Sequence, residues 1–363
     1  MTKRKKNKIP FFKKLLIVFF VLLISSTLLY VFSLYQKIYE PNILFSSDSQ
    51  EQFIFIPSDA DFNDVVQILN STGLLININS FEFVAKQKNY VQNIKPGKYQ
   101  IKKALSNNEL INLLRSGNQT VVNLTFNNLR NKEEFAGVIA NQLEIDSIEI
   151  LDYFKSFIRD KNKLELTDQN IVCLFIPNTY EFYWNVGVGS FMKRMLKENN
   201  RFWNEERKNK LAELKKDYSL DISRYQVSIL ASIVEKEQNI KIDERPMIAG
   251  LYLNRLKKKM KLESDPTLIF ALSDFGIKRV LNKDKKIESP YNTYQYKGLP
   301  PGPICIPSIN SIDAVLNAVS HNYIFMCAKP DFSGYHNFAR TYTKHKLNAR
   351  KYQRALNKRK IMR

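Results

Sequence analysis

The sequence has few of the residues that form disulfides and metal sites. It contains three cysteines and three histidines among 363 residues, and neither a C-x-x-C nor an H-E-x-x-H spacing occurs. Cys173, Cys305 and Cys327 could form at most one disulfide, and the apolar stretches beside the last two favour buried free thiols. The sequence therefore predicts no metal site.

Acidic residues are missing from both ends of the chain. Residues 1–14 contain seven Lys or Arg and residues 340–363 contain ten, and neither segment has an Asp or Glu. Without these 17, the body of the chain has 39 basic and 35 acidic residues, a net charge of about +4. The net charge of the whole chain is +21. A nucleic-acid-binding domain usually carries the positive charge on its own surface. We therefore expect no nucleic-acid partner.

One long stretch has no charged residue. Residues 15–35 read LLIVFFVLLISSTLLYVFSLY, and this length suffices to cross about 30 Å of hydrocarbon. The basic cytoplasmic segment 1–14 should stay on the inner side. This pattern predicts a single-pass helix in the cell (inner) membrane, with the C-terminal part of the chain on the extracytoplasmic (periplasmic) side. A cleaved signal peptide is the alternative, but the run is long and no A-x-A-like site follows it.

Behind this run, apolar periodicity and helix caps predict an α+β fold. Residues 36–50, which include Pro41, are typical of a tether. Residues 51–119 should form a small βααβ subdomain with a connecting helix. Residues 120–350 should form a larger mixed α/β domain, and residues 351–363 a basic tail. Within the subdomain, a strand is expected at about 52–56, followed by a helix that Asp59 or Asp61 caps and that runs to about residue 70. A second helix is expected at 80–88, a closing strand at 98–101 and a connecting helix at 106–115.

Residues 172–185 (VCLFIPNTYEFYWN) are unusually rich in aromatic side chains. Clustered aromatic rings beside a Pro-Asn turn suit the wall of a sugar-binding site, because the apolar faces of sugar rings stack on them. An ordinary core cluster explains the same composition equally well.

A buried helix is expected at residues 225–236 (YQVSILASIVEK), because apolar side chains cover most of its circumference. Glu235 stands at its end, where partial desolvation would raise the pKa of the carboxyl and suit it to general acid catalysis. Glu237 follows about 200° further around the helix, so we expect the two carboxyls not to share one cleft wall. A solvated helix end, with both acids paired to Lys236 or Lys241, is the alternative.

The segment 298–303 (GLPPGP) can be neither helix nor central strand. It should form a fixed loop, close in sequence to the polar and aromatic residues 291–294 (YNTY). Such a loop suits the binding of a polymer, and a purely structural turn is the alternative.

These segments together resemble the MltG / YceG-like family of endolytic murein transglycosylases. The resemblance covers nearly the whole chain. Its strings are PGKY at 96–99, FIPNTYEF at 175–182, ASIVEKE at 231–237, ER at 244–245, LNRL at 253–256, SDPT at 264–267, SPYNTY at 289–294, GLPPGPI at 298–304 and HNF at 336–338. Asn178 departs from the family's usual Asp, and Lys344-His345-Lys346 replaces a Glu-His-Asn pattern.

The resemblance implies an enzyme that cuts peptidoglycan glycan strands without water or a cofactor. Cleavage between N-acetylmuramyl (MurNAc) and N-acetylglucosaminyl (GlcNAc) sugars would leave 1,6-anhydro-MurNAc ends and terminate strand elongation. It also implies a LysM-like fold for 51–119 and peptidoglycan synthases as partners. A non-catalytic LysM-type wall-binding or division scaffold, and a muramidase that uses water, are the alternatives.

The resemblance also implies roles for seven residues. Glu235 would be the catalytic acid. The expected substrate-binding residues are Asn292, Thr293, Tyr294, Asp265, Tyr180 and His336. The last three of these could instead be a helix cap, a core aromatic and a structural hydrogen bonder.

Overall fold

The computed structural model describes residues 10–45, 51–160, 165–277 and 280–359. Within these residues the protein has a mixed α+β fold that is mostly helical, with three two-stranded sheets. The mixed class that the sequence predicts is therefore confirmed. Parts of the expected basic N-terminal segment, tether and basic tail lie outside the described residues.

The chain divides into two compact units. Unit 1 comprises Met1–Val122 and Tyr183–Asn185, and unit 2 comprises Asn123–Phe182 and Val186–Arg363. Each unit has its own hydrophobic core.

Unit 1 begins with a long helix and continues as a small α/β fold. Its elements are α1 (Phe11–Tyr39), β1 (Glu51–Ile56), α2 (Phe62–Ser71), α3 (Ile78–Gln87), β2 (Gly97–Lys102) and α4 (Asn107–Ser116). Strands β1 and β2 pair antiparallel, with Glu51 opposite Lys102 and Ile56 opposite Gly97. Side chains of Asp61 and Ser106 cap α2 and α4 in reciprocal capping boxes. The βααβ order expected for this part of the sequence is confirmed.

Helix α1 is the one helix in the described part of the chain that is long and apolar enough to cross a membrane. By length and composition it fits an anchor or a signal sequence. Its last turn packs on α3 and α4, and Asn107 donates a hydrogen bond to the Lys37 carbonyl at 2.9 Å. The next residues also bond to unit 1, since the Asn42 amide donates to the Leu105 carbonyl at 2.9 Å. Of the expected tether, the part up to Phe45 is therefore held by hydrogen bonds and packing.

Unit 2 is mostly helical. It contains β3 (Val122–Phe126), whose first residue ends unit 1, and then α5 (Lys132–Ala140), α6 (Ser147–Asp160), β4 (Asn178–Phe182), α7 (Val188–Phe202), α8 (Glu205–Tyr218), α9 (Arg224–Glu237), α10 (Arg245–Lys257), α11 (Asp265–Leu272), α12 (Ile309–Leu316), β5 (Phe325–Ala328), β6 (His336–Ala339) and α13 (Tyr342–Lys358). Strand β3 pairs with β4, and β5 pairs antiparallel with β6.

Helix α9 runs through the core of unit 2. Every residue from 227 to 235 is buried, and the helix contacts α10, α11 and α12. A capping box between Ser223 and Gln226 fixes its first turn. Burial of each large apolar side chain stabilises the fold by about 1.5–3 kcal/mol, so packing holds this helix firmly. Its last turn, which carries Glu235 and Glu237, is thereby held in a fixed place.

The aromatic segment at 172–185 contributes to the core. Phe175 stacks on Phe135 with 4.1 Å between ring centroids. Tyr180 is buried against Phe126, and its hydroxyl donates to the Ile176 carbonyl at 2.7 Å. The core interpretation therefore holds for Phe175 and Tyr180.

The three cysteines are free thiols. Cys173 and Cys305 are buried, and Cys327 is half-buried. Burial raises the pKa of the Cys305 thiol to about 12, so this thiol stays protonated and unreactive at neutral pH.

Candidate active site

A groove of about 470 Å³ opens beside the C-terminal end of α9. We call it the acidic groove. Its lining includes Glu237, Tyr252, Arg255, Asp265, Tyr294 and His336. These side chains come from α9, α10, α11, the loop before GLPPGP and β6, and the volume lies within the range of ligand-binding sites.

Glu237 is the central carboxyl of this groove. Its Oε1 accepts hydrogen bonds from the Tyr252 hydroxyl at 2.7 Å and the Ser264 hydroxyl at 2.5 Å. Among the described residues, none donates a hydrogen bond to Oε2. The two donors therefore fix the plane of the carboxyl and leave its second oxygen available to a ligand.

The environment of Glu237 favours the protonated carboxyl. Burial raises its pKa above the ordinary value, and the nearby Asp265 charge acts in the same direction. Hydrogen bonds from Ser264 and Tyr252, together with His336, oppose this shift without cancelling it. A carboxyl with a raised pKa can donate a proton near neutral pH.

Asp265 and Tyr294 form a pair at the rim of the acidic groove. The Tyr294 hydroxyl donates to Asp265 Oδ1 at 2.6 Å. Burial and this hydrogen bond raise the pKa of Tyr294 well above its ordinary value, so its hydroxyl stays a donor. Asp265 is exposed and begins α11, while Tyr294 is half-buried. The structure thus brings these two predicted site residues together.

His336 reaches the groove from β6 and is held by Glu244. The Glu244 carboxylate accepts from the His336 backbone amide at 2.8 Å and lies 2.8 Å from its Nδ1. Burial alone would raise the pKa of Glu244, but hydrogen bonds from His336 and Gln238 outweigh it and lower the pKa. An ionised Glu244 requires a proton on Nδ1, so it fixes both the tautomer and the orientation of the ring.

Glu235 lies on another side of α9 and points towards α12. Its Oε2 accepts from the Ser308 amide at 2.8 Å, the Ser308 hydroxyl at 2.7 Å and the Ser311 hydroxyl at 2.6 Å. Arg245 donates to the same Ser311 hydroxyl at 2.8 Å. Glu235 is buried, and it is not among the described residues that line the acidic groove. This geometry ties α9 to the start of α12.

Asn292 and Thr293 hold the loop that presents Tyr294. The Asn292 side chain donates to the Ile287 carbonyl at 2.8 Å and accepts from the Tyr294 amide at 3.0 Å. Thr293 Oγ1 accepts from the Ser264 amide at 3.0 Å. Both residues are buried, so their polar groups are engaged within the protein and position the residues beside them.

Tyr180 is remote from this chemistry. It lies in the aromatic core, and burial raises its pKa to about 12. Of the seven predicted site residues, the groove brings together Tyr294, Asp265 and His336. Glu237, Tyr252, Ser264 and Glu244 were not predicted from the sequence as site residues. Glu237 lies in the same ASIVEKE string as Glu235, so the string indicated the correct part of the helix. It did not indicate which of the two acids faces the groove.

A larger cavity, about 660 Å³, lies at the N-terminal end of α9 beside the GLPPGP loop. Its lining includes Lys215 and Asp221, which form an ion pair at 2.9 Å. Glu165 also lines it, but Glu237, the carboxyl whose pKa is raised, lies in the acidic groove. We therefore take the acidic groove as the candidate active site.

The fold and the groove define a class of proteins in which a small βααβ unit precedes a helical unit with a carboxyl-lined cleft. The chain belongs to the YceG-like family, whose model matches residues 54–351.

Curated relatives carry one name. The endolytic murein transglycosylase of Bacillus subtilis (strain 168) is 28% identical over 314 residues, which are 82% of this chain and 84% of the relative. The endolytic murein transglycosylase of Streptococcus pneumoniae serotype 2 is 26% identical over 75% of this chain, and the match spans 53% of the pneumococcal protein.

A solved structure shares the fold. The crystal structure of a yceG-like protein from Listeria monocytogenes superposes with a TM-score of 0.52 at 24% identity. The match covers 83% of this chain and 99% of the Listeria chain.

Proposed function

We propose that the protein is a membrane-anchored endolytic peptidoglycan lytic transglycosylase, a lyase that acts on a polysaccharide. The observation that carries this proposal is the Glu237 carboxyl, desolvated and held by two hydroxyl donors in a groove of ligand size. The names of the relatives support the substrate class.

One carboxyl can perform both proton steps of this reaction. Protonated Glu237 gives its proton to the glycosidic oxygen between MurNAc and GlcNAc, and the bond from that oxygen to the MurNAc anomeric carbon breaks. The resulting carboxylate then takes the proton of the MurNAc 6-hydroxyl. That oxygen bonds to the anomeric carbon and closes the 1,6-anhydro ring, so no water enters and Glu237 is again protonated. The N-acetyl group can stabilise the intermediate, as in substrate-assisted glycosidases.

The proposal assigns the proton transfer to Glu237, whereas the sequence analysis predicted Glu235. The partners of each acid support this change. Tyr252 and Ser264 occupy one oxygen of Glu237 and leave the other available, while Ser308 and Ser311 hold Glu235 against α12. Tyr294, Asp265 and His336 are proposed to contact the sugar rings. Asn292 and Thr293 are proposed to act by positioning Tyr294.

Paired variants separate the two acids. Glu237→Gln is expected to lower cleavage of purified murein by about 10²–10⁴-fold, the usual contribution of a general acid. Glu235→Gln is expected to retain cleavage in proportion to the folded protein. The measurement is release of anhydro-ended products, with circular dichroism to quantify the folded fraction. Loss of cleavage in folded Glu235→Gln, with activity kept in Glu237→Gln, would restore the sequence-based prediction.

A muramidase that uses water is the second candidate, because Asp265 supplies another carboxylate in the same groove. That carboxylate could act as base or nucleophile opposite Glu237. Mass spectrometry of the products decides between them, since hydrolysis leaves reducing ends that are heavier by one water. Reducing ends alone would reject the transglycosylase mechanism.

The anchor and unit 1 also belong to the proposal. We propose that α1 spans the inner membrane with the N-terminus in the cytoplasm, and that LysM-like unit 1 contacts glycan. Cleavage beside the membrane would terminate growing strands next to peptidoglycan synthases. A non-catalytic scaffold would need the same anchor and unit 1, but it would release no soluble fragments from purified sacculi.

A further inference from the structure

Helix α13 has two sharply different faces. At about 100° per residue, the buried and half-buried side chains fall within roughly 120° of its circumference. These side chains are His345, Asn348, Ala349, Tyr352, Ala355 and Leu356, and the helix packs with them on β5 and β6. Six cations fall in a separate arc of about 160°, all of them exposed. They are Lys344, Lys346, Arg350, Lys351, Arg354 and Lys358, which we call the basic face.

The charges of the basic face are not neutralised within the protein. Among the described residues, none of its six cations forms an ion pair with an acid. On α8, which is also lysine-rich, Lys208 lies 2.7 Å from Glu205 and Lys210 lies 2.9 Å from Glu206. The basic face therefore has the character of a surface for an external anion.

Helix α13 begins at the acidic groove. Tyr342 and His345, in the first turn of α13, line the groove. From Lys344 to Lys358 the cations extend over about 21 Å of helix, at 1.5 Å per residue. The groove itself carries Glu263 and Asp265 beside Arg255 and Lys285, so its charges are roughly balanced, and Arg255 pairs with Glu263 at 3.0 Å. A strand with neutral sugars and anionic branches would thus place its sugars in the groove and its branches on α13.

We propose that the basic face binds the carboxylates of the short peptides carried by the MurNAc sugars, so that the enzyme prefers peptide-bearing strands to denuded ones. This inference rests on the proposed function. A helix on a lipid surface buries its apolar face in the membrane, and the apolar face of α13 is already covered by β5 and β6. The structure therefore favours the peptide over an anionic lipid surface.

The test compares two triple variants of the full-length chain. One is Arg350→Gln with Lys351→Gln and Arg354→Gln on the basic face. The other is Lys208→Gln with Lys210→Gln and Lys216→Gln on α8, which removes the same charge elsewhere. Each protein is assayed for kcat/KM on peptide-bearing strands and on strands of the same length whose peptides an amidase has removed.

The expected result is a loss of selectivity in the α13 variant alone. For this variant, the kcat/KM on peptide-bearing strands divided by the kcat/KM on denuded strands should fall about tenfold. This is the effect expected from the loss of three exposed charge contacts together. The wild-type ratio should also shrink as ionic strength rises. An unchanged ratio in the α13 variant, or an equal fall in the α8 variant, would overturn the inference.

Two further outcomes are distinguishable. If the wild-type protein cleaves neither kind of strand, the proposed function is wrong. If it cleaves strands but its preference for peptide-bearing strands does not depend on the charges of α13, only the peptide inference is wrong. Binding of the wild-type protein and of the α13 variant to phosphatidylglycerol and phosphatidylcholine vesicles is measured in parallel. Both of these proteins contain α1. If the α13 variant loses only its preference for the anionic vesicles, the basic face is a lipid-binding surface and the peptide inference is wrong.

Discussion

Glu235 and Glu237, which are two residues apart at the end of α9, have different environments. Glu235 receives three hydrogen bonds from the start of α12, and Glu237 receives two within the acidic groove. Which acid faces a cleft depends on Ser264, Ser308 and other residues far away in the sequence. The apolar run of α9 predicts the burial and the about 200° separation of the acids, but it contains no information about these partners.

Glu235→Gln should destabilise unit 2. All three donors converge on Oε2, so the amide oxygen of glutamine can take its place, but a neutral amide oxygen is a weaker acceptor than a carboxylate oxygen. We expect a loss of about 1–3 kcal/mol in the free energy of unfolding, because three hydrogen bonds to a charged acceptor are replaced by bonds to a neutral one. Urea unfolding measures it, with the exposed Glu205→Gln as the control. A loss no larger than that of the control would contradict the structural role.

Glu237→Gln should change how stability depends on pH. Because burial raises the pKa of Glu237 in the folded state, its contribution is fully present below the unfolded-state pKa and is lost as pH rises through the folded-state pKa. The Gln variant cannot ionise, so its melting temperature should gain on the wild type as pH rises through that range. Melting curves at a series of pH values test this, and a difference that does not vary with pH would speak against desolvation.

At the scale of elements, local signals made unit 1 predictable. Asp61 and Ser106 cap their helices with neighbouring residues, and Gly117 ends α4 in the left-handed conformation. The aromatic segment at 172–185 was ambiguous because composition does not reveal which partner a ring meets. Tertiary packing against Phe126 and Phe135 decides it.

Arg255 joins α10 to two walls of the groove. Its guanidinium donates to the Ile324 carbonyl at 2.7 Å and to the Leu262 carbonyl at 2.9 Å, and it pairs with Glu263 at 3.0 Å. A lysine ammonium cannot reach these acceptors together.

Arg255→Lys should therefore cost roughly 3 kcal/mol of stability and reduce cleavage, because β5 and α11 lose a shared support. Chemical denaturation and the murein assay measure the two effects. The exposed Arg201→Lys is the matched control. A variant as stable as that control would show that packing alone holds these elements.

For the whole molecule, the charge distribution along the sequence predicts a membrane topology, but it does not predict the division into units. Residues 183–185 belong to unit 1 although unit 2 surrounds them in sequence. Trp184 explains this, since its ring lies 5.1 Å from that of Phe55 on β1. Such a return of the chain depends on a long-range contact that has no local sequence signal.

If α1 is the proposed anchor, the intact chain should stay in the membrane. After alkaline carbonate washing, the full-length protein should remain in the membrane pellet. Mass spectrometry of the pellet should identify peptides from the part of the chain before residue 39. Ile24→Arg with Leu28→Arg should release it, because each central charge costs about 2.5–3.5 kcal/mol of insertion. A soluble product that begins after α1 would instead identify a signal sequence.

The hydrogen bonds of Lys37 and Asn42 hold the end of α1 close to the rest of unit 1. For the membrane-anchored enzyme proposed above, this connection keeps unit 1 next to the bilayer surface. Glycan close to the membrane would then be the first that unit 1 meets.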